Sequence, residues 1–176
     1  MDPVASRAIA LGLAVLFVAA ALHKARGFGD FTAVLGEYRL LPPHAVAVAA
    51  AALLCAELVL ATCLTVPLWQ KQGALGAAFV LLVYSLAIGI NLARGRREID
   101  CGCGAGARPL SSALLVRNGL LVAAALMAAL PVEPRSATWL DHFTIGCAVG
   151  TAALAWVAVG HLADSSPQLA ARRTFE

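Results

Sequence analysis

The sequence predicts an all-α protein: a polytopic transmembrane bundle of four to five spans, with one short amphipathic helix at the membrane interface. Three observations predict it. Of the 176 residues, 61% are hydrophobic and 13% charged, where a soluble domain carries about 25% charged residues. The mean hydropathy is +0.83. Five apolar stretches each approach the roughly 20 residues a helix needs to cross about 30 Å of hydrocarbon. None alternates as a barrel strand does, so helices are what satisfies the backbone in lipid. Length and composition suggest one bundle domain over residues 1–176, with no room for a soluble catalytic domain. The expected surroundings are a lipid bilayer, and no nucleic-acid partner is expected.

The stretches run over residues Val4–Leu22, Ala45–Val66, Gly73–Ala93, Ser112–Leu130 and Phe143–Leu162. The first ends in small residues, Ala19-Ala20-Ala21, as a signal peptide does. Its n-region, however, holds only Arg7, and Lys24 and Arg26 follow the run, so a retained helix is the reading. Between the first two spans Asp30 is placed to cap a short helix in which Phe31, Val34, Leu35, Tyr38 and Leu41 recur at helical spacing. That stripe would let the segment lie flat among headgroups until Pro42-Pro43 ends it. A tight turn at Pro67–Gln72 joins the second and third spans, and Trp69 and Trp139 are expected at one membrane face.

Five spans put Arg7, Lys71 and Arg135 on one face. The other face takes Lys24, Arg26, Arg39, Arg94, Arg96, Arg97, Arg108, Arg172 and Arg173, with Arg117 just inside the fourth helix. Basic residues favour the cytoplasmic side, so the second face is expected there.

The chemistry concentrates in residues 94–118, RGRREIDCGCGAGARPLSSALLVRN. Cys101 and Cys103 flank one glycine, in a Gly-rich stretch directly before a helix. The thiolate is the reactive form of cysteine and nearby positive charge favours it. Arg94, Arg96, Arg97 and Arg108 supply that charge, and the start of the fourth helix, capped by Ser111, adds its positive dipole end. Asp100 opposes them. Gly102 and Gly104 leave room for a partner thiol to approach. A redox-active dithiol is the functional reading. Half of a metal site is the alternative, with His23, His44 and His161 to complete it, but no second Cys/His pair has zinc-finger spacing and no metal is assigned.

Cys55, Cys63 and Cys147 lie inside apolar runs, where cysteine serves as a small apolar residue. Glu57 falls near the middle of the second span. A carboxylate there costs a few kcal/mol unless paired or protonated, so it should face the bundle interior. Arg117 and Asn118, about a turn and a half into the fourth helix, are the expected partners. Helical rotation places Glu57 on a different face from Cys55. Polar positions gather at the face holding His23, Lys24, Tyr38, Arg39, Asn91 and the Cys pair, while the opposite face looks bare.

These residues resemble the MauE branch of the DoxX-like redox-associated membrane proteins. The resemblance rests on Ala21-Leu22-His23-Lys24, Tyr38-Arg39-Leu40-Leu41-Pro42 and Glu57. Above all it rests on Ile99-Asp100-Cys101-Gly102-Cys103-Gly104 followed by Leu115-Val116-Arg117-Asn118. Gly104 stands where many relatives carry Phe. The resemblance implies a multi-pass protein of the bacterial inner membrane. Its implied role is maturation, processing or export of the disulfide-rich periplasmic small (beta) subunit of methylamine dehydrogenase, beside a thioredoxin-like membrane-anchored partner. It implies thiol–disulfide exchange at Cys101 and Cys103, with Arg117, Asn118, Glu57, Lys24 and His23 in support. A periplasmic client and a cytoplasmic Cys pair disagree about the side of the membrane. Two other classes stay open: a non-enzymatic assembly or export factor, and an electron carrier with quinone as cofactor.

Overall fold

A computed structural model describes residues 2–96, 98–99, 110–132 and 138–154. It is the all-α bundle that composition predicts. Helix α1 spans Pro3–Arg26, α2 Phe28–Glu37, α3 Pro43–Thr65, α4 Gln70–Ala93 and α5 Ser112–Ala128. A further helix, α6, is described over residues 139–154. Among the described residues three segments are long and apolar enough to cross a membrane: Pro3–Arg26, Pro43–Thr65 and Pro67–Ala93. At 17 residues α5 is shorter, yet it rises about 25 Å and falls within the spanning range.

Each boundary has a local cause. Asp2 caps α1 by accepting from the Val4 N–H at 2.8 Å, and Pro3 occupies the first turn, where its missing N–H costs nothing. Gly27 breaks the helix for one residue, and α2 begins at once at Phe28. Asp30 therefore sits in the first turn of α2 rather than at its cap, which is Gly27. Arg39, at φ 49°, takes the left-handed conformation that turns the chain back. Pro42 and Pro43 start α3, as cap and first residue, rather than simply ending α2. A 3₁₀ turn at Pro67–Trp69 leads into α4. Thr138 opens α6, its N–H and hydroxyl donating to Asp141 Oδ2 at 2.7 and 2.9 Å.

The four long helices form a ring. α1 lies against α3 and α5, α4 lies against the same two, and α3 and α5 stand diagonally opposite. Small residues let the backbones close in: Ala10, Ala14, Ala61, Ala74, Ala77, Ala78 and Ala125 are buried around Phe17, Leu64 and Leu81. The close backbone approach is at Gly73, where an added Cβ would come 2.9 Å from both Cys63 Cβ and the Leu64 nitrogen. The outer surface is apolar, with Val48, Phe79, Leu86, Val116 and Leu120 all more than 60% exposed, as a lipid-facing surface requires. The apolar stripe of α2 packs onto the bundle. Val34 meets the cluster around Tyr38, and Phe31 and Leu35 are half-buried.

Gly73→Leu is expected to destabilise the bundle by about 1–3 kcal/mol, because α3 and α4 must separate to admit it. Gly89→Ala, where an added Cβ meets nothing within 4 Å, is expected to stay within about 0.5 kcal/mol. Unfolding midpoints in detergent distinguish the two.

Candidate functional site

Two polar constructions sit along the side of the bundle where the sequence places its reactive residues. The deeper one is an ion pair. Lys24 belongs to the last turn of α1 and is 3% exposed; Glu57 of α3 is fully buried. Lys24 Nζ donates to Glu57 Oε1, forming a salt bridge. The Tyr84 hydroxyl, from α4, donates to the same oxygen at 2.7 Å. Nζ also lies 5.2 Å from the Phe31 ring centroid and 5.3 Å from that of Tyr84, within cation–π range. One ammonium thus ties α1, α2, α3 and α4 together.

The expected partners of Glu57 were Arg117 and Asn118, and the ring order explains why neither serves. They stand on α5, diagonally across from α3, and Arg117 donates instead to Asn118 Oδ1 at 3.3 Å. Lys24 falls two residues past the apolar run, yet α1 continues through it and carries the side chain inward. Position at the C-terminal end of a helix also favours its positive charge. His23 is exposed and takes no part in the pair. Cys55 is exposed while Glu57 is buried, as helical rotation predicts, and Cys55, Cys63 and Cys147 are free thiols.

The second construction holds the two ends of the segment that carries the C-x-C. Gly95, at φ 74°, stops α4: its N–H bonds the Leu92 carbonyl at 3.0 Å, and the Arg96 N–H bonds the Asn91 carbonyl at 3.0 Å. This is a Schellman cap, and glycine is what its left-handed position needs. The dipeptide Arg94-Gly95 after an apolar helix is a signal of it that the sequence reading left unused. Asn91 is fully buried and donates from Nδ2 to the Ala87 carbonyl at 3.1 Å. The chain then reaches Ile99, and the Leu110 N–H donates to the Ile99 carbonyl at 3.2 Å. Ile99 and Leu110 are buried with Tyr38, Ile88 and Leu114. Ser111 occupies the cap position of α5, as expected, but makes no side-chain capping bond. Cys101 and Cys103 fall between the two anchors and lie outside the described residues, as do Asp100, Arg97, Arg108 and His161.

Glu57 Oε2 and Asn118 Nδ2 are buried without a hydrogen-bond partner among the described residues. The described His, Cys, Asp and Glu residues form no group of three able to hold a metal ion.

The other end of the bundle is not bare. Ser6 Oγ donates to the Ala128 carbonyl at 3.2 Å and receives Gln70 Nε2 at 2.9 Å. Arg7 donates to Gln70 Oε1 at 3.0 Å and to the carbonyls of Leu64 and Thr65, so it caps the C-terminus of α3.

With this geometry in hand, the family follows from comparison. The family model described as methylamine utilisation protein MauE matches residues 2–131. The chain belongs to the MauE family. Similar proteins carry the same description. The methylamine utilization protein MauE of Paracoccus denitrificans is 36% identical over 99% of this chain and 95% of its own length. That of Paracoccus versutus is 42% identical over 73% of this chain and 70% of its own length. That of Methylophilus methylotrophus is 37% identical over 75% and 72%. No solved structure matches the chain. The MauE match takes in the Lys24–Glu57–Tyr84 site and both anchors around the Cys pair, and ends before α6.

Removing one member of a buried ion pair strands the other, at about 3–5 kcal/mol. Lys24→Met and Glu57→Leu are each expected to show such a loss, and the double variant much less than their sum. A double-mutant cycle on detergent unfolding measures the coupling; strict additivity would mean the two charges do not interact.

Proposed function

We propose that this membrane protein acts in methylamine utilisation as a thiol–disulfide redox protein, with Cys101 and Cys103 as the exchanging pair. The observation that carries the reading is membership of the MauE family together with a C-x-C between two anchored strand ends. Ile99 and Leu110 are buried and bonded to each other at the end of α4 and the start of α5. A dithiol that must meet a partner's disulfide repeatedly gains from being held at one place on the bundle.

A thiolate of the pair attacks a disulfide of a thioredoxin-like membrane-anchored partner, forming a mixed disulfide and releasing one partner thiolate. The second cysteine attacks the mixed bond, so the pair becomes a disulfide and the partner a dithiol, two electrons having passed to the partner. Run in reverse, the same step reduces the pair. Arginines 94 and 96, next to the segment, favour the thiolate form. The buried Lys24–Glu57 pair, Arg117 and Asn118 hold the helices that carry the anchors, and are supporting residues. The client we propose, by resemblance, is the disulfide-rich periplasmic small subunit of methylamine dehydrogenase, and a bacterial inner-membrane location goes with it.

Cys103→Ser is expected to trap a mixed disulfide between Cys101 and the thioredoxin-like partner, visible as a reducible band on a non-reducing gel. Cys101→Ser with Cys103→Ser is expected to abolish maturation of the client. Full maturation in the double variant would reject the redox reading and leave an assembly factor whose cysteines are incidental.

A further inference from the structure

We infer that the end of the bundle remote from the Cys pair binds a phospholipid with an anionic headgroup. Its phosphate would lie against Arg7 and Lys71, and its acyl chains along α1. A cavity of about 730 Å³ opens there, walled by the starts of α1 and α4, the end of α5 and the first turns of α6. Its polar lining includes Arg7, Gln70, Lys71 and His142. Through Leu11, Ile145 and Gly146 it shares walls with a second hollow of about 510 Å³. That second hollow is almost wholly apolar and follows Leu11, Val15, Val18 and Leu22 along one stripe of α1. The stripe is about 16 Å long, the reach of an acyl chain into one leaflet. A chamber that carries Arg7 and Lys71 at the membrane face and opens into an apolar groove has the shape of a lipid.

Charge selects the headgroup. Arg7 is half-buried, and every acceptor it holds is neutral: two main-chain carbonyls and the Gln70 amide oxygen. Among the described residues the one salt bridge is that of Lys24 and Glu57, so neither Arg7 nor Lys71 has a carboxylate at ion-pair distance. Asp141, the carboxylate among the lining residues, accepts from Thr138 at the cap of α6. A partly desolvated guanidinium beside a second cation, in a largely apolar chamber, is completed by an anion.

Native mass spectrometry of the full chain in neutral detergent tests this, with phosphatidylglycerol and phosphatidylcholine offered in equal amounts. The expected result is one retained phosphatidylglycerol, preferred by about tenfold, the equivalent of about 1.4 kcal/mol. Lys71→Gln is expected to erase most of that preference. Arg7→Gln should do the same, but it also uncaps α3, so Lys71→Gln carries the charge test, with circular dichroism confirming its helix content. Gly146 lines both hollows and an added Cβ there meets nothing within 4 Å, so Gly146→Trp puts a bulky ring into the groove and is expected to lose the lipid. Equal retention of the two lipids by the unaltered chain would overturn the inference. So would undiminished phosphatidylglycerol binding by Gly146→Trp or an unchanged preference in Lys71→Gln. Displacement of the lipid by inorganic phosphate alone would also overturn it, since the groove would then contribute nothing.

Discussion

Lys24 can enter the bundle only because Glu57 is there to meet it. An ammonium or a carboxylate alone inside a membrane costs a few kcal/mol, and each removes the other's penalty. The consequence reaches well beyond two side chains. Glu57 stands eight residues before the Thr65 end of α3, about 12 Å of rise, so the pair lies well inside the span. Lys24 is within a turn of Gly27, and Phe31 just beyond the break faces the same ammonium. Fixing Lys24 therefore fixes where α1 stops and how α2 departs. Tyr84 brings α4 to the same oxygen, and one and two turns further along α4 stand Ile88 and Asn91, which begin the structure around the anchors. The chain from buried charge to anchored C-x-C ends is thus continuous along one helix.

The two ends of the bundle solve different problems with the same backbone. At one end, a Schellman cap and the Ile99–Leu110 bond turn the chain out of α4 and back into α5, so an insertion rich in glycine and arginine can be carried without loosening the helices. At the other end the connection from α3 to α4 is short, and side chains do the capping instead. Arg7 satisfies the final carbonyls of α3, and Ser6 ties α1 to the end of α5. Arginine at that position keeps its charge while neutralising a helix end. That is why a face with few basic residues still presents a concentrated positive spot.

Much of the fold was legible in the residues. Apolar length alone placed α1, α3, α4 and α5 to within a few positions, because in lipid the backbone has little choice but to close its hydrogen bonds within a helix. Glu57 could be assigned to the interior for the same reason, and its separation from Cys55 follows from helical rotation. Its partner could not be read, since pairing across 33 residues depends on which helices are neighbours and which are diagonal in the ring. Lys24 was misleading for a specific reason. Apolar counting ends the span at Leu22, whereas a paired cation lets the helix run on. The role of Asp30 was displaced because Gly27 breaks the helix three residues earlier. The polar network of Ser6, Arg7 and Gln70 went unseen because its members are scattered over 64 residues and none belongs to a motif. The Cys pair, by contrast, was visible from composition alone: two sulfurs among glycines and arginines, between apolar helices.

A redox titration reads the proposed cycling of these two sulfurs between dithiol and disulfide. In a chain with Cys55, Cys63 and Cys147 replaced by alanine, purified protein would be equilibrated across a range of thiol–disulfide buffers and alkylated. Both remaining cysteines are expected to lose reactivity together, in one two-electron transition as the buffer becomes oxidising. Full alkylation of both Cys101 and Cys103, unchanged from the most reducing to the most oxidising buffer, would contradict it.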